Sequence, residues 1–423
     1  MADGRACLVV HPHKWVAGES DIRTPSAKLE EAVGLAEAID LEVKLALLIK
    51  LHDVRHSTLF GSGKMDELRE AITREHIALV IVNDNLTPSQ QRNLEKAWKC
   101  KVIDRTALIL EIFGQRARTR EGKLQVELAS LNYQKTRLVR SWTHLERQRG
   151  GYGFMGGPGE SQIETDRRLI NERITQLKRQ LTKVTRTREL HRKPRREAPY
   201  PTIALVGYTN AGKSTLFNRL TEAHVKAEDQ LFATLDPTIR GLELPSGNRV
   251  LLSDTVGFIA DLPTQLVSAF RATLEEVVGA DILLHVRDIA DPDTEAQKED
   301  VLDILQELLG DAPLEERMIE VHNKADLLEN LSEQEHSDHV RISALTGEGC
   351  DSLLLAIDNA LEDNFMQQYA FAVPTHEGRA LAWLHAHGKV RSETLDEARE
   401  HMTLEVSLTR ANAERFKKHI LPE

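Results

Sequence analysis

Over the first quarter of the chain, short runs of consecutive apolar residues alternate with stretches whose apolar positions recur every three or four residues. The runs Cys7–Val10, Val43–Ile49, Leu79–Val82 and Val102–Ile103 are rich in β-formers and read as strands. Between them Leu29, Val33, Ala36 and Ile39, and again Met65, Leu68 and Ile72, mark the inner faces of helices. This alternation predicts a small α/β unit with a largely parallel sheet, assigned to residues 1–115. From residue 116 the strand signal stops. Leu124, Leu128, Leu131, Leu138 and Leu145, followed after a break by Ile170, Ile174, Leu177, Leu181 and Val184, predict two long antiparallel helices. At about 30 residues each and ~1.5 Å per residue, the hairpin would reach roughly 45 Å from its base. Its turn is expected at Arg147–Glu160, where six of the 24 glycines of the chain fall inside ten positions. Pro194–Pro201 holds three prolines in eight residues and reads as a linker, so the helical unit is assigned to 116–196. Strands and helices alternate again over 197–368. Residues 369–423 suggest a small appended domain, with a strand near Phe371, a helix near Ala380, a strand around Leu404–Val406 and a final helix.

Charge adds a second division. The chain carries a net −11, yet residues 116–197 hold 21 Lys plus Arg against 9 Asp plus Glu, while the remainder holds 34 against 57. A basic hairpin on an acidic body points to a polyanion, with a solvated pair of charged helices as the plain alternative. No apolar run approaches the eighteen or more residues of a spanning helix, and the first residues show no cleavage pattern, so a soluble chain without a secretory signal is expected. Cys7, Cys100 and Cys350 are scattered and odd in number, which excludes a disulfide framework or cysteine metal site and fits a reducing cytosol.

The chemistry is concentrated after the linker. Thr202–Val206 is a buried-strand pattern running into Gly207, Tyr208, Thr209, Asn210, Ala211, Gly212, Lys213, Ser214 and Thr215, and then into a helix through Leu216, Phe217 and Leu220. This is the GxxxxGK[ST] phosphate loop in its strand–loop–helix setting. Gly207 and Gly212 let the backbone curl its N–H groups toward phosphates, Lys213 would reach the β- and γ-phosphates, and the Ser214 hydroxyl would ligate Mg²⁺. Asp254, Thr255, Val256 and Gly257 follow the strand Val250–Leu252. Asp254 can hold Mg²⁺ through a water, and the Gly257 N–H can contact the γ-phosphate. Between these motifs lie Phe232, Ala233, Thr234, Leu235 and Asp236. A threonine here should complete the metal shell, and Thr234 is preferred to Thr238. The expected catalytic groups are therefore Lys213, Thr234 and Gly257.

Base choice rests on Asn323, Lys324, Ala325 and Asp326. The Asp326 carboxylate offers two acceptors to the adjacent N1–H and 2-amino donors of guanine and would reject adenine. The Lys324 stem can cover the base, and Asn323 can tie this loop to the phosphate loop. The motif starts 110 residues beyond Lys213 and precedes Ser343, Ala344 and Leu345, which complete a guanine-nucleotide set.

The order GYTNAGKST, FATLDPT, DTVGF, NKAD and SAL, together with the hairpin sequence RGGYGFMGGPGESQIETDRR, resembles the HflX family within the Obg–HflX group of translation-factor-type GTPases. The resemblance covers the α/β start, the hairpin and the G domain. It implies a P-loop G domain preceded by an α/β unit and helical hairpin, with GTP as substrate and Mg²⁺ as cofactor. It further implies a cytoplasmic, monomeric, stress-response GTPase, with peripheral membrane attachment left open. Such a protein would bind the large ribosomal subunit and split stalled or idle 70S particles, its hairpin tip near the peptidyl-transferase centre. Arg137, Arg140, Arg147, Arg149, Arg167 and Arg168 would contact rRNA phosphates, and Tyr152 and Phe154 would stack on unpaired bases.

One position departs from the commoner GTPase pattern. Phe258 stands after Gly257, where many relatives carry a water-orienting Gln, so intrinsic hydrolysis is expected to be slow. Either another group or a bound partner, which the resemblance makes the ribosome, must finish the site. An assembly factor or RNA chaperone, or a signalling switch with a protein effector, are the rival readings. Gly61-Ser62-Gly63-Lys64 imitates the end of a phosphate loop, but residue 58 is Thr and residue 65 is Met. A glycine turn opening a helix is expected there, with an ATP role left open by the resemblance. His11 and His13 are expected on the surface or in a loop, and Asp291-Pro292-Asp293 as a turn.

Overall fold

The computed structural model describes residues 5–14, 23–148, 158–196, 200–221, 232, 238–260, 274, 276–310, 314, 317–328, 339–364, 366–396, 400–409, 413 and 416–420. The first unit is β1 (Ala6–Lys14), α1 (Pro25–Glu37), β2 (Glu42–Leu51), α2 (Ser62–Arg74), β3 (Leu79–Val82), α3 (Pro88–Trp98), β4 (Lys101–Asp104) and α4 (Arg105–Arg116). Its strands run parallel in the order β2-β1-β3-β4. Cys7, Leu8, Val9 and Val10 are fully buried because helices cover both faces of the sheet. Local chemistry starts the helices. Thr24 and Thr87 accept from Ala27 N–H and Gln90 N–H ahead of Pro25 and Pro88, and Asp104 accepts from Ala107 N–H at 2.9 Å to open α4.

β1 runs four residues beyond the apolar stretch that marks it. His11 is therefore a buried strand residue, its Nδ1 3.3 Å from the Asn83 carbonyl oxygen, and not a surface or loop histidine. Burial lowers its pKa. Gly61 does open a helix, as the N-cap of α2, and Lys64 pairs with Glu67 in its first turns.

The hairpin helices are α5 (Arg120–Gln148) and α6 (Pro158–Arg196). They overrun the expected turn at both ends, since Arg147 and Gln148 belong to α5 and Pro158, Gly159 and Glu160 to α6. Residues 149–157, including Tyr152 and Phe154, lie outside the described residues, as do the side chains of Arg140 and Arg147. α6 also takes in Pro194, Arg195 and Arg196. A proline in the last turn forfeits one backbone hydrogen bond, which does not unmake 39 residues of helix. Arg137 is committed internally. Its guanidinium pairs with Asp104, whose side chain is 2% exposed, and lies 4.3 Å over the Tyr133 ring, while Tyr133 Oη donates to Asp104 at 2.6 Å. This cluster pins α5 to the first unit, so Arg137 is an anchor and not a phosphate contact. Arg167 and Arg168 remain exposed.

The third unit comprises β5 (Thr202–Val206), α7 (Lys213–Thr221), β6 (Thr238–Glu243), β7 (Arg249–Asp254), β8 (Ile282–Asp288), α8 (Thr294–Leu309), β9 (Met318–Asn323), β10 (His339–Arg341) and α9 (Cys350–Asn364). The sheet order is β10-β9-β8-β5-β7-β6, parallel except at the β6 edge. β5 sits centrally, so the loop leaving its carboxyl end opens onto the crevice where parallel sheets bind ligands. One buried cluster runs from Val9, Ile109 and Phe113 of the first unit to Val206, Phe232, Phe258 and Leu283 of this one.

The C-terminal unit is β11 (Met366–Pro374), α10 (Gly378–His387), β12 (Lys389–Leu395) and β13 (His401–Thr409), an antiparallel sheet in the order β11-β13-β12. β12 was not expected. It is an edge strand of mainly polar residues with a register shift at Val390/Ser392, and its pattern carries little periodicity. Where a final helix is expected, the described residues hold a π-helical turn at Phe416–Ile420.

Candidate functional site

β5 delivers the chain into a loop whose backbone admits no ordinary side chain at two points. Gly207 has φ +147°, and a Cβ there would lie 2.2 Å from the Val286 carbonyl oxygen. Gly212 has φ +90°, and a Cβ there would lie 2.2 Å from Asn323 Nδ2. Between them Asn210 turns through φ +60°, and Ala211 is buried. The loop ends at the N-terminus of α7, whose helix dipole places partial positive charge there.

Lys213 is 6% exposed, and its Nζ donates to the carbonyls of Gly207 at 3.0 Å and Tyr208 at 2.6 Å. Burial pulls its pKa down to about 8, against the opposing pull of Asp254. Ser214 Oγ donates to Asp254 Oδ2 at 2.7 Å, and Asp254 is fully buried. A hydroxyl and a carboxylate meeting at a helix N-terminus are hard oxygen donors suited to Mg²⁺. Thr215 follows in α7. Thr238, at the start of β6, pairs in register with Asp254, while Thr234, with Ala233, Leu235 and Asp236, lies outside the described residues.

Thr255 Oγ1 donates to the Leu205 carbonyl at 2.5 Å, fastening the end of β7 to β5. Val256 is buried beside it. Gly257 then passes so close to the phosphate loop that a Cβ would lie 2.9 Å from Thr209 Cα and 3.0 Å from Lys213 Nζ. Phe258 bridges back to that loop, its N–H donating to Gly207 O at 3.1 Å and its carbonyl accepting from Thr209 N–H at 2.7 Å. Its ring is 1% exposed within the core. Phe232 is 2% exposed and packs edge-on against Phe113 at 4.7 Å between centroids.

The base-recognition loops join the same crevice. Asn323 Nδ2 donates to the Ala211 carbonyl at 2.8 Å, and its Oδ1 accepts from Ala344 N–H at 2.9 Å, so one buried amide ties three loops together. Lys324 adopts φ +64° and pairs with Asp288 at 2.6 Å. Ala325 N–H donates to the Ile342 carbonyl at 3.2 Å, and Asp326 stands exposed. Ser343 is fully buried, and its Oγ accepts from Thr346 N–H at 3.1 Å. Leu345 is exposed. Arg219 of α7 holds the carbonyls of Ala344 and Leu345, a support that no motif announces.

A second polar group lies across β8–β10. Ligating atoms of Glu320, His322 and His339 gather within 4.8 Å of one another. Glu320, however, is already paired with Arg287 and with Lys298 at 2.7 Å. Burial would raise its pKa, but hydrogen bonds from His322, Lys298 and Arg287 hold it well below the usual carboxylate range. Two fixed cations beside the carboxylate oppose a metal ion, and the group acts as a charge network. Asp291-Pro292-Asp293 is a turn, with Thr294 N–H donating to the Asp291 carbonyl.

Four family models match the chain: "GTP-binding GTPase N-terminal" over residues 26–114, "GTP-binding GTPase Middle Region" over 116–195, "50S ribosome-binding GTPase" over 202–324 and "HflX C-terminal domain" over 327–421. The chain is 56% identical to the GTPase HflX of Magnetococcus marinus, covering 86% of this chain and 84% of that one. It is 46% identical to the GTPase HflX of Escherichia coli over 87% of both. Among solved structures it is similar to SsGBP in complex with GDP, at 24% identity and a TM-score of 0.47, over 84% of this chain and 98% of that one. With identity at this level over most of its length, the chain belongs to the HflX family of GTPases and is a GTP hydrolase.

Proposed function

We propose that this GTPase binds the large ribosomal subunit through its basic hairpin and separates stalled or idle 70S particles, with hydrolysis completed by the ribosome. The observation that carries the reading is Phe258. Its ring is sealed in the core and its backbone is spent on the phosphate loop, so the residue after Gly257 cannot orient an attacking water. Another group must do so, and the description of the G-domain family supports one supplied by a ribosomal partner.

In this reading the N–H groups of Asn210–Gly212 and the α7 N-terminus cradle the phosphates, and Lys213 moves from the Gly207 and Tyr208 carbonyls to the phosphate oxygens. Ser214 and Thr234 would hold Mg²⁺, with Asp254 behind a water. When bound, the ion neutralises charge on the β- and γ-phosphates. Gly257 N–H meets the γ-phosphate, and Asp326 selects guanine. Exposed Arg167 and Arg168 would supply rRNA contacts near the tip. Single-turnover GTP hydrolysis by the free chain and by the chain with purified large subunits tests this. A rate at least tenfold higher with subunits is expected, and equal rates would contradict completion by the ribosome.

A further inference from the structure

In the first sheet the strand order reverses between β1 and β3, and their carboxyl ends border the crevice that open parallel sheets offer to a ligand. His11, Asn83 and Arg105 line it, with Asn83 Oδ1 accepting from Arg105 at 2.8 Å. A piece of the G domain lies against this crevice. Arg105 Nη2 donates to the Ala260 carbonyl at 2.9 Å and to Glu31 at 2.5 Å. Glu31 also accepts from the Tyr208 hydroxyl, which itself accepts from Arg23 at 2.7 Å and from Ala260 N–H at 2.8 Å. The hydroxyl has one proton and two lone pairs, and all three are used.

The two peptide groups of Ala260 are thus held from both sides, one by the second residue of the phosphate loop and one by the N-terminal domain. Ala260 lies three residues beyond Gly257, whose N–H is the group expected to meet the terminal phosphate of GTP. GDP has no such phosphate.

We propose that Arg105 and Glu31 are positioning residues for GTP. They fix the segment from Gly257 to Ala260 against the phosphate loop, so the N-terminal domain sets how well the chain distinguishes GTP from GDP. Linkage makes the effect reciprocal: filling the γ-phosphate position tightens the same grip.

The test compares equilibrium affinities of the full chain for fluorescent GDP and for a fluorescent non-hydrolysable GTP analogue, in Arg105→Gln, Glu31→Gln and Arg105→Lys. Both glutamine variants should lose about tenfold for the analogue while GDP affinity stays within twofold, a coupling of ordinary allosteric size. Arg105→Lys should keep part of the discrimination, because one donor can still reach Ala260. GDP binding also reports an intact G domain. If Arg105→Gln loses both nucleotides through misfolding, Glu31→Gln, which keeps side-chain volume and polarity, decides the matter. Parallel loss of GDP and analogue in Glu31→Gln, or no change in either, would overturn the proposal.

Discussion

Replacing Asn323 by alanine tests whether the three nucleotide loops act as one body. The native amide gives a donor to the Ala211 carbonyl at 2.8 Å and an acceptor to Ala344 N–H at 2.9 Å, and Asn323 is 2% exposed. Alanine would leave both backbone groups without their partner. Orphaning a buried polar group costs about 1–3 kcal/mol. Taking the low end for each of the two groups gives about 2–3 kcal/mol. Because the phosphate loop and base loops must be aligned before nucleotide binds, that cost should appear as a loss of GTP and GDP affinity of about 30- to 150-fold. Equal losses for both nucleotides are expected, since neither bond depends on the γ-phosphate. Fluorescence titration with labelled GDP and GTP analogue measures this directly, alongside urea unfolding of the nucleotide-free chain. Native affinity in Asn323→Ala would show that the loops are held in place by other contacts and would refute the reasoning.

Asp326→Asn puts a donor against the guanine N–H groups, so GTP affinity should fall at least tenfold while xanthosine triphosphate affinity rises; competition binding reads both. Lys213, with its pKa lowered to about 8 by burial, keeps its proton when phosphates are bound and releases it above about pH 8 when free. GDP affinity should therefore be flat from pH 6.5 to 7.5 and fall by up to about tenfold per unit above 8, and a flat profile to pH 9.5 would contradict it. The nucleotide-free fold carries the opposite sign, since the penalty of burying the ammonium is relieved between pH 8 and the ordinary value of 10.5. Arg137→Gln removes the cation from a buried carboxylate that keeps three other hydrogen bonds, so stability should drop by about 2–3 kcal/mol in urea titrations. The salt dependence of ribosome binding should not change in that variant, whereas Arg167→Gln with Arg168→Gln should flatten its slope by roughly two units.

Much of the nucleotide site was legible because its constraints are local. A loop that needs φ +147° and φ +90° at fixed spacing writes glycine at those positions, and Asn323 beside Lys324 and Asp326 follows from the donors of guanine. The parallel sheets were legible for a similar reason, since their inner strands β1, β3 and β5, buried on both faces, show as unbroken apolar runs. Arg23, Glu31 and Arg105 were not legible, because their grip on Tyr208 and Ala260 exists only after folding, across sequence separations of up to 185 residues. A basic count likewise cannot tell an arginine that faces solvent from one that neutralises a buried aspartate, and Arg137 proved to be the second kind. The place of His11 was not legible either, because Pro12 beside it carries no N–H for a strand ladder. Here β1 continues through both, and Asn83 satisfies the imidazole. β12 lacks an apolar face and forms by pairing with β13, which periodicity does not register.

Sedimentation of purified 70S ribosomes through a sucrose gradient, with the full chain and either GDP or a non-hydrolysable GTP analogue, tests the ribosomal role most directly. With the analogue, the 70S peak should convert to separate subunits and the chain should travel with the large one, while GDP leaves 70S intact and the chain near the top. An unchanged 70S peak with the analogue, or a chain that stays at the top in both gradients, would contradict the role assigned to the hairpin and the nucleotide site.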